Sequence, residues 1–256
     1  MQKYGLTSVT FRHLTWLEVI CVAVECNLHG IEWGGDVHCP PGDIALAGEI
    51  AAATREAGLA VLSYGSYYRL GCGKDFAPVL ASAVALGAPV IRVWAGNKAS
   101  ATYTPEEREL AIADARYIAD QAAAHGITVA LEYHRDSLTD NAQSAVALLQ
   151  AAGNIKTYWQ PNPEISRTQN LAELQAVLPW LTHMHVFQWR HDGTRLPLQD
   201  GADDWAAYFA LAGEQTGAAI LEFVKDNCPA QCAQDAASLR HLRWGSVASL
   251  RSILVA

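Results

Sequence analysis

Four short apolar runs in the sequence each carry a polar side chain that could take part in chemistry. Two are glutamates, Glu132 and Glu222, and the others are a histidine, His185, and an amide, Gln160. Carboxylate, imidazole and amide groups are ligands of divalent cations. A pair of carboxylates can also move a proton between neighbouring carbon atoms. The sequence therefore predicts a metal centre or a proton-transfer site, and both need these side chains to meet.

The elements that would bring them together are β-branched runs that alternate with helix-like segments. Eight such units without a linker favour a single α/β domain, a (β/α)8 TIM barrel spanning residues 1–256. The alternative, an open doubly wound sheet, usually has a Gly-rich turn after its first strand, and residues 7–13 contain no glycine. The predicted strands are Gly5–Thr10, Gly30–Gly34, Leu59–Gly65, Pro89–Gly96, Ile127–His134, Lys156–Pro161, Thr182–Trp189 and Ala218–Val224.

Helix signals punctuate the segments between these strands. Asp43–Ala57 and Glu106–Ala124 are Ala-rich and have high helix propensity. Three pairs have the spacing of capping boxes: Thr15 with Glu18, Thr104 with Glu107, and Ser166 with Gln169. Four glycines stand where a helix should end before the next strand: Gly58, Gly87, Gly126 and Gly153.

A barrel of this kind carries its active site at the carboxyl ends of its strands. Because side chains alternate along a strand, Glu132 lies on the face opposite Leu131, and Glu222 on the face opposite Leu221. The bulky apolar residues should face the helices, which turns the polar ones toward the barrel axis. The side chains expected to converge there are Glu132, Gln160, His185 and Glu222.

Buried carboxylates at the axis need a compensating charge. A divalent cation (Mn²⁺, Mg²⁺, Co²⁺ or Zn²⁺) would supply it, with Glu132, Gln160, His185 and Glu222 as ligands. The alternative is an ion-pair network in which Arg92, inward on the fourth strand, neutralises the glutamates.

The overall charge excludes some classes of partner. The chain has 18 basic and 26 acidic residues and a formal net charge of −8, which argues against nucleic acid and anionic membranes as partners. The six cysteines form no CxxC pair, and no secretory signal pattern is visible, so we expect reduced thiols and a cytoplasmic location.

The stretches around these four polar residues resemble the xylose isomerase-like TIM-barrel superfamily, in its sugar or sugar-phosphate isomerase/epimerase branch. The resemblance rests on Ala130–Arg135, Thr157–Pro161, His183–Phe187 and Ile220–Phe223, with Gly30–Gly34 and Arg195–Trp205 in support. It implies one metal ligand from each of strands five to eight, in the order Glu, Asp, His, Glu. The chain departs from this pattern at Gln160, since a neutral amide binds a divalent cation less well than a carboxylate.

Further residues at the strand ends are candidates for binding substrate. Aromatic rings there could stack on a sugar, histidines could hold its hydroxyl groups, and the resemblance implies that Arg195 contacts substrate. The expected set is Glu32, Trp33, His38, Tyr64, Trp94, His134, Gln188 and Arg195.

We expect an enzyme that isomerises or epimerises a small sugar, with Glu132 and Glu222 as the catalytic pair and an enediolate stabilised by the cation. One alternative is a dehydratase acting on a polyol or hydroxy acid at the same site. Another is a non-catalytic sugar-binding barrel with a degraded metal site. A DNA-repair endonuclease is disfavoured because too few basic residues and ligands are present. The sequence leaves the oligomeric state open, with a homo-oligomer as one of the options.

Overall fold

Eight parallel strands close into a barrel in the computed structural model, which describes residues 3–253 and the side chains of residues 3–242. Each barrel strand pairs with its neighbours in sequence order, and the last closes on the first. The predicted TIM barrel is confirmed. The barrel strands are β1 (Lys3–Thr7), β2 (Gly30–Gly34), β3 (Ala60–Arg69), β4 (Val90–Trp94), β5 (Thr128–Glu132), β6 (Lys156–Trp159), β7 (Leu181–Val186) and β10 (Ala218–Leu221); β8 (Gln188–Trp189) and β9 (Arg195–Leu196) form a separate antiparallel hairpin.

An α-helix follows each barrel strand in the part of the chain that the structure describes. The three predicted capping boxes are all formed, so the hydroxyl groups of Thr15, Thr104 and Ser166 each accept a hydrogen bond from a first-turn amide. The four predicted helix-ending glycines all have positive φ. The helices are α1 (Trp16–Glu25), α2 (Ile44–Glu56), α3 (Ala77–Leu86), α4 (Pro105–Ala123), α5 (Ala142–Ala152), α6 (Arg167–Val177), α7 (Ala202–Ala212) and α8 (Pro229–Ile253).

Several strands end earlier than the sequence predicts. β5 stops at Glu132, β6 at Trp159 and β10 at Leu221. After β10 the backbone of Phe223 takes a left-handed φ of 47°, which no β-strand can continue. His134, Gln160 and Glu222 are consequently the first residues of the loops at the mouth of the barrel, or close to the first.

The barrel interior changes from apolar to charged along its axis. An apolar layer at the bottom contains Leu62, Val90, Ala130, Tyr158, Ala218 and Ile220. Arg92 and Glu132 stand two residues further along their strands than Val90 and Ala130, so strand alternation places them in the next inward layer. The rest of the core lies between the strands and the helices.

No helix within residues 3–253 combines the length and the apolar character needed to cross a bilayer. In the 19-residue α4, for example, the charged sequence Glu106-Glu107-Arg108 directly follows the first residue, Pro105.

Candidate metal centre and active site

Four side chains meet at the carboxyl ends of β5, β6, β7 and β10. Nδ1 of His185 lies 3.3 Å from Oε1 of Gln160, 3.4 Å from Oε2 of Glu222 and 4.0 Å from Oε1 of Glu132. Ligand atoms of Glu132, His185 and Glu222 lie within 4.8 Å of one another, and all three residues are buried. The structure thus brings together all four residues that the sequence nominates as metal ligands.

The spacing of these atoms fits a divalent cation. Ligands bonded at about 2.0–2.3 Å to one ion lie roughly 3–4 Å from each other, and the distances from Nδ1 of His185 to the other three groups fall in this range. Two carboxylates, one imidazole and one amide oxygen form a donor set suited to Mn²⁺, Mg²⁺, Co²⁺ or Zn²⁺. Because Gln160 is neutral, the donor set carries two negative charges.

Glu32 orients the imidazole of His185. Its Oε1 lies 3.2 Å from Nε2 of His185, and it also accepts hydrogen bonds from the hydroxyl groups of Thr7 and Ser63. A carboxylate behind a histidine fixes the ring and leaves the other nitrogen for a metal. Glu32 therefore directs Nδ1 of His185 toward Glu132, Gln160 and Glu222.

Arg92 joins this histidine support to the ligand cluster. Its Nε donates to Oε1 of Glu32 at 3.1 Å, and its Nη1 donates to Oε2 of Glu132. Arg92 and both glutamates are almost wholly inaccessible to solvent. The ion-pair network considered from the sequence thus exists alongside the ligand geometry: it shares Oε1 of Glu32 with His185, and on Glu132 it takes Oε2 while Oε1 is on the side of His185.

Gly65 leaves room for this network. A Cβ atom at position 65 would lie 2.6 Å from Nη2 of Arg92 and 3.0 Å from Oε1 of Glu32. Both distances are too short for a side chain to be added without moving the ion pair. The glycine is therefore required by close approach.

Electrostatics divides the buried acids into two kinds. Burial acts to raise the pKa of Glu32, but the charges of Arg92 and His185 outweigh it and hold that pKa well below its ordinary value. Burial raises the pKa of Glu222, and the nearby Glu132 charge adds to this against the opposing effect of His185. Burial acts to lower the pKa of His185, yet Glu222 and Glu32 raise it overall. Glu32 is thus a fixed anion, whereas Glu222 takes up a proton more readily.

A cavity of about 290 Å³ opens above the four ligand-like side chains. Its walls combine aromatic rings with arginine and histidine side chains, so it suits a small, partly polar ligand. Its lining includes Arg12, Tyr67, Trp94, Glu132, Tyr133, His134, Arg135, Gln160, Phe187, Trp189, His191, Glu222 and Phe223.

Two predicted substrate-binding residues, Trp94 and His134, line this cavity, and their rings pack together with centroids 4.6 Å apart. Gln188 lines a smaller neighbouring pocket of about 110 Å³. Arg195 does not line the cavity. Its guanidinium lies over the rings of Trp189 and Phe223, and both of these rings do line it.

Glu32 and Trp33, two other predicted substrate-binding residues, do not line the cavity. Glu32 is wholly buried in the charged layer below it. Trp33 is the next residue on β2, so it faces the helices because neighbouring side chains point to opposite faces.

His38 and Tyr64 also lie away from the cavity. His38 is buried, with its ring nitrogens bonded to the Ser8 hydroxyl and the Leu14 carbonyl. Tyr64 follows a β-bulge in β3, where Ile31 pairs with Val61 but Glu32 pairs with Ser63. The extra residue reverses the facing of the rest of the strand, and the Tyr64 hydroxyl donates to the Cys39 carbonyl.

Arg12, Tyr67 and Phe223 line the cavity although the sequence did not nominate them. The sequence carried one usable signal. Arg12 stands just after the first predicted barrel strand and Phe223 at the carboxyl end of the last, which is where barrel enzymes place functional side chains.

Comparisons with known proteins agree with this architecture. A family model described as xylose isomerase-like TIM barrel matches residues 21–244. A 3-dehydroshikimate dehydratase of Bacillus anthracis is 25% identical over 203 residues, which cover 72% of this chain and 70% of the relative.

Two solved structures show how closely the fold is shared. The probable 3-DHS dehydratase of petrobactin synthesis from Bacillus anthracis superposes with a TM-score of 0.79 at 22% identity, covering 93% of this chain and 99% of that one. An L-ribulose 3-epimerase superposes with a TM-score of 0.76 at 15% identity, covering 99% of this chain and 98% of the other. At these identities the likeness establishes the fold.

Proposed function

The chain belongs to the xylose isomerase-like TIM barrel family, and from this premise we propose that it is a divalent-metal-dependent dehydratase. The substrate would be a small hydroxylated carbonyl compound from which a proton and a hydroxyl group are removed. The observation that carries this proposal is the buried ion pair between Arg92 and Glu132.

This ion pair argues against a two-carboxylate proton exchange. Epimerisation by Glu132 and Glu222 would require one oxygen of each carboxylate to accept a proton. Oε2 of Glu132 accepts from Arg92, and Oε1 faces the ligand side of His185. Because Arg92 already holds one oxygen of Glu132 and the other is on the ligand side, we assign Glu132 to metal binding and not to the base that the sequence suggested.

His134 is suited to act as that base. Its Nδ1 lies 2.6 Å from the backbone carbonyl of Arg135. Because a carbonyl can only accept, Nδ1 must carry the proton, and Nε2 of the neutral ring then carries the lone pair. His134 lines the cavity two residues beyond Glu132, with its ring held against Trp94.

The chain's residues then divide the work of an elimination. Nε2 of His134 takes the proton from the carbon beside the substrate carbonyl, and the resulting imidazolium returns it to the departing hydroxyl group, so water leaves. Glu132, Gln160, His185 and Glu222 would hold the cation. When bound, the cation supplies Lewis-acid stabilisation of the negative charge on the substrate carbonyl oxygen.

The comparisons support this choice. Both the sequence relative and one of the solved structures described above are named as dehydratases acting on 3-dehydroshikimate. Loss of water from that compound by the elimination described here, followed by enolisation of its ketone, gives an aromatic ring, 3,4-dihydroxybenzoate. Such an elimination needs a base and a stabilised carbonyl oxygen, which His134 and a cation held by the ligand cluster would supply in this cavity.

Product analysis tests the proposal. The full-length protein with Mn²⁺ is incubated with 3-dehydroshikimate and, separately, with L-ribulose and D-fructose. We expect a product lighter by one water and with aromatic absorbance from 3-dehydroshikimate, lost on adding EDTA. An epimer of unchanged mass from either sugar, with no product from 3-dehydroshikimate, would overturn it.

Sugar epimerisation is the second candidate. The observation in its favour is Glu222, a cavity carboxyl whose pKa burial raises, so that it can both take up and return a proton. The L-ribulose 3-epimerase fold likeness agrees with it. Solvent deuterium incorporated into recovered L-ribulose at constant carbon skeleton would identify this activity.

A further inference from the structure

Arg12 presents a fixed guanidinium group at the mouth of the cavity. It lies in the loop that follows β1 and lines the cavity. Its Nε donates to Oδ2 of Asp36 at 2.5 Å, and its Nη2 donates to the hydroxyl of Tyr67 at 2.6 Å. Although 40% of its side chain is exposed, these two bonds, one to the loop after β2 and one to the end of β3, hold the group in one place.

The ring of Phe223 supports the same guanidinium. Cζ of Arg12 lies 5.5 Å from the centroid of this ring, within the range of a cation–π contact. The backbone of Phe223 has φ 47°, a strained value for a residue with a bulky side chain, and its amide donates to the Thr10 hydroxyl at 2.9 Å. Residues of the first and last strand loops therefore fix the ring beside Glu222.

A second guanidinium, that of Arg195, lies over the same ring. Its Cζ is 4.8 Å from the Phe223 centroid, and its Nη1 donates to Oδ1 of Asn227. Among the residues with described side chains, Arg195 forms no ion pair with a carboxylate. Burial lowers the pKa of Arg195, and the positive charge of Arg12 lowers it further despite the opposing effect of Glu222. Two cations are thus close together at one side of the mouth, with Asp36 as the acid paired there.

The unused donors of Arg12 have the form of a carboxylate site. A guanidinium has five N–H groups in a planar fork, and Asp36 and Tyr67 engage two of them. Both N–H groups of Nη1 and one of Nη2 remain, and these can donate hydrogen bonds to one carboxylate. An anion placed there would also offset the repulsion between Arg12 and Arg195.

The other arginines of the lining are less suited to this task. Arg92 is buried and already bridges Glu32 and Glu132. Arg135 pairs with Glu164, and its side chain is 63% exposed.

We propose that Arg12, held by Asp36 and Tyr67 and backed by Arg195, binds a carboxylate group of the substrate. This assignment rests on the proposed function, and it narrows the substrate to a small hydroxy acid whose carboxylate lies at the Phe223 side of the mouth. The hydroxyl-bearing carbons then face the ligand cluster. A neutral sugar would leave the remaining N–H groups of Arg12 without an anionic partner.

Binding of two matched compounds tests the proposal without turnover. 3,4-Dihydroxybenzoate and 3,4-dihydroxybenzamide have the same ring and hydroxyl groups and differ only in the charge of one substituent. Calorimetry with the full-length protein and Mn²⁺ should show the acid binding about 10- to 100-fold more tightly than the amide. Arg12→Gln should abolish this difference, and Arg12→Lys should restore part of it.

Arg135→Gln is the matched control, because Arg135 is also a cavity-lining arginine with an acidic partner. It should keep the preference for the acid. The assignment to Arg12 is overturned if Arg12→Gln keeps that preference, if Arg135→Gln removes it, or if the wild-type protein binds neither compound. Should the acid preference depend on Arg12 while 3-dehydroshikimate is not converted, the carboxylate site stands and the dehydratase proposal fails.

Discussion

Glu32 and His185 come from strands three positions apart around the barrel, yet Oε1 of Glu32 lies 3.2 Å from Nε2 of His185. The same oxygen accepts a hydrogen bond from Nε of Arg92. Nη1 of Arg92 in turn donates to Oε2 of Glu132. One buried carboxylate thus positions both a nitrogen ligand and, through Arg92, an oxygen ligand of the candidate metal centre. Positioning carboxylates of this kind affect metal affinity nearly as much as the ligands do.

Glu32→Gln should therefore weaken Mn²⁺ binding by about 10- to 100-fold, although Glu32 does not face the metal. The amide keeps the shape of the side chain but loses the charge that orients His185. Calorimetric titration with Mn²⁺ measures the effect. Glu107→Gln, which alters the exposed pair with Lys98, should leave affinity unchanged; equal affinity for Glu32→Gln and wild type would contradict this role.

Arg92→Met should destabilise the metal-free protein by about 3–5 kcal/mol, because it leaves Glu32 and Glu132 buried with less compensation. Urea denaturation in the presence of EDTA provides the measurement. Adding Glu132→Gln to this variant removes one of the uncompensated charges and should recover part of the loss. A double variant no more stable than Arg92→Met would show that packing, and not charge, explains the effect.

Gly65→Ala should lower the free energy of unfolding by about 1–3 kcal/mol. The added methyl group would meet Arg92 and Glu32 at distances that require both to move. Gly48→Ala is the control, since no atom lies within 4 Å of a Cβ at that position of α2. That change should stabilise the protein slightly through helix propensity. The melting temperatures of the two variants are compared with that of the wild-type protein. Equal changes in melting temperature would contradict the crowding argument.

Gln160→Asp should tighten Mn²⁺ and Mg²⁺ binding, because it adds a negative charge to a donor set that otherwise carries two. The shorter side chain limits the gain. Gln160→Ala should weaken binding by removing an oxygen that lies 3.3 Å from Nδ1 of His185. Calorimetric titration of the wild type and both variants measures their metal affinities. If neither substitution changes the affinity, the β6 segment supplies no ligand.

His134→Gln should lower kcat by about 10²- to 10⁴-fold, the usual contribution of a general base, while Mn²⁺ affinity stays the same. The matched control is His191→Gln, since His191 also lines the cavity but stands in the turn between β8 and β9. Steady-state kinetics with 3-dehydroshikimate measures both. A normal kcat for His134→Gln would assign the proton transfer to another group.

Local sequence patterns determined the barrel and the direction of its ligands. The capping boxes at Thr15, Thr104 and Ser166 and the alternation along each strand depend only on near neighbours in the chain. The inward turn of Glu132 and Glu222 follows from the same alternation. These features could be predicted because the physical causes, backbone hydrogen bonding and burial of one face, act over a few residues.

Tertiary structure alone decided the heights and partners of the side chains. Alternation gives the face of a residue but not its level along the axis, so Glu32 proved to lie below the cavity and not in its wall. The bulge that reversed Tyr64 depends on how β3 pairs with β2. The grouping of Arg12 with Asp36 and Tyr67 joins the loops after β1 and β2 to the end of β3. Such contacts form between residues distant in sequence, and only the closed barrel brings them within hydrogen-bonding distance.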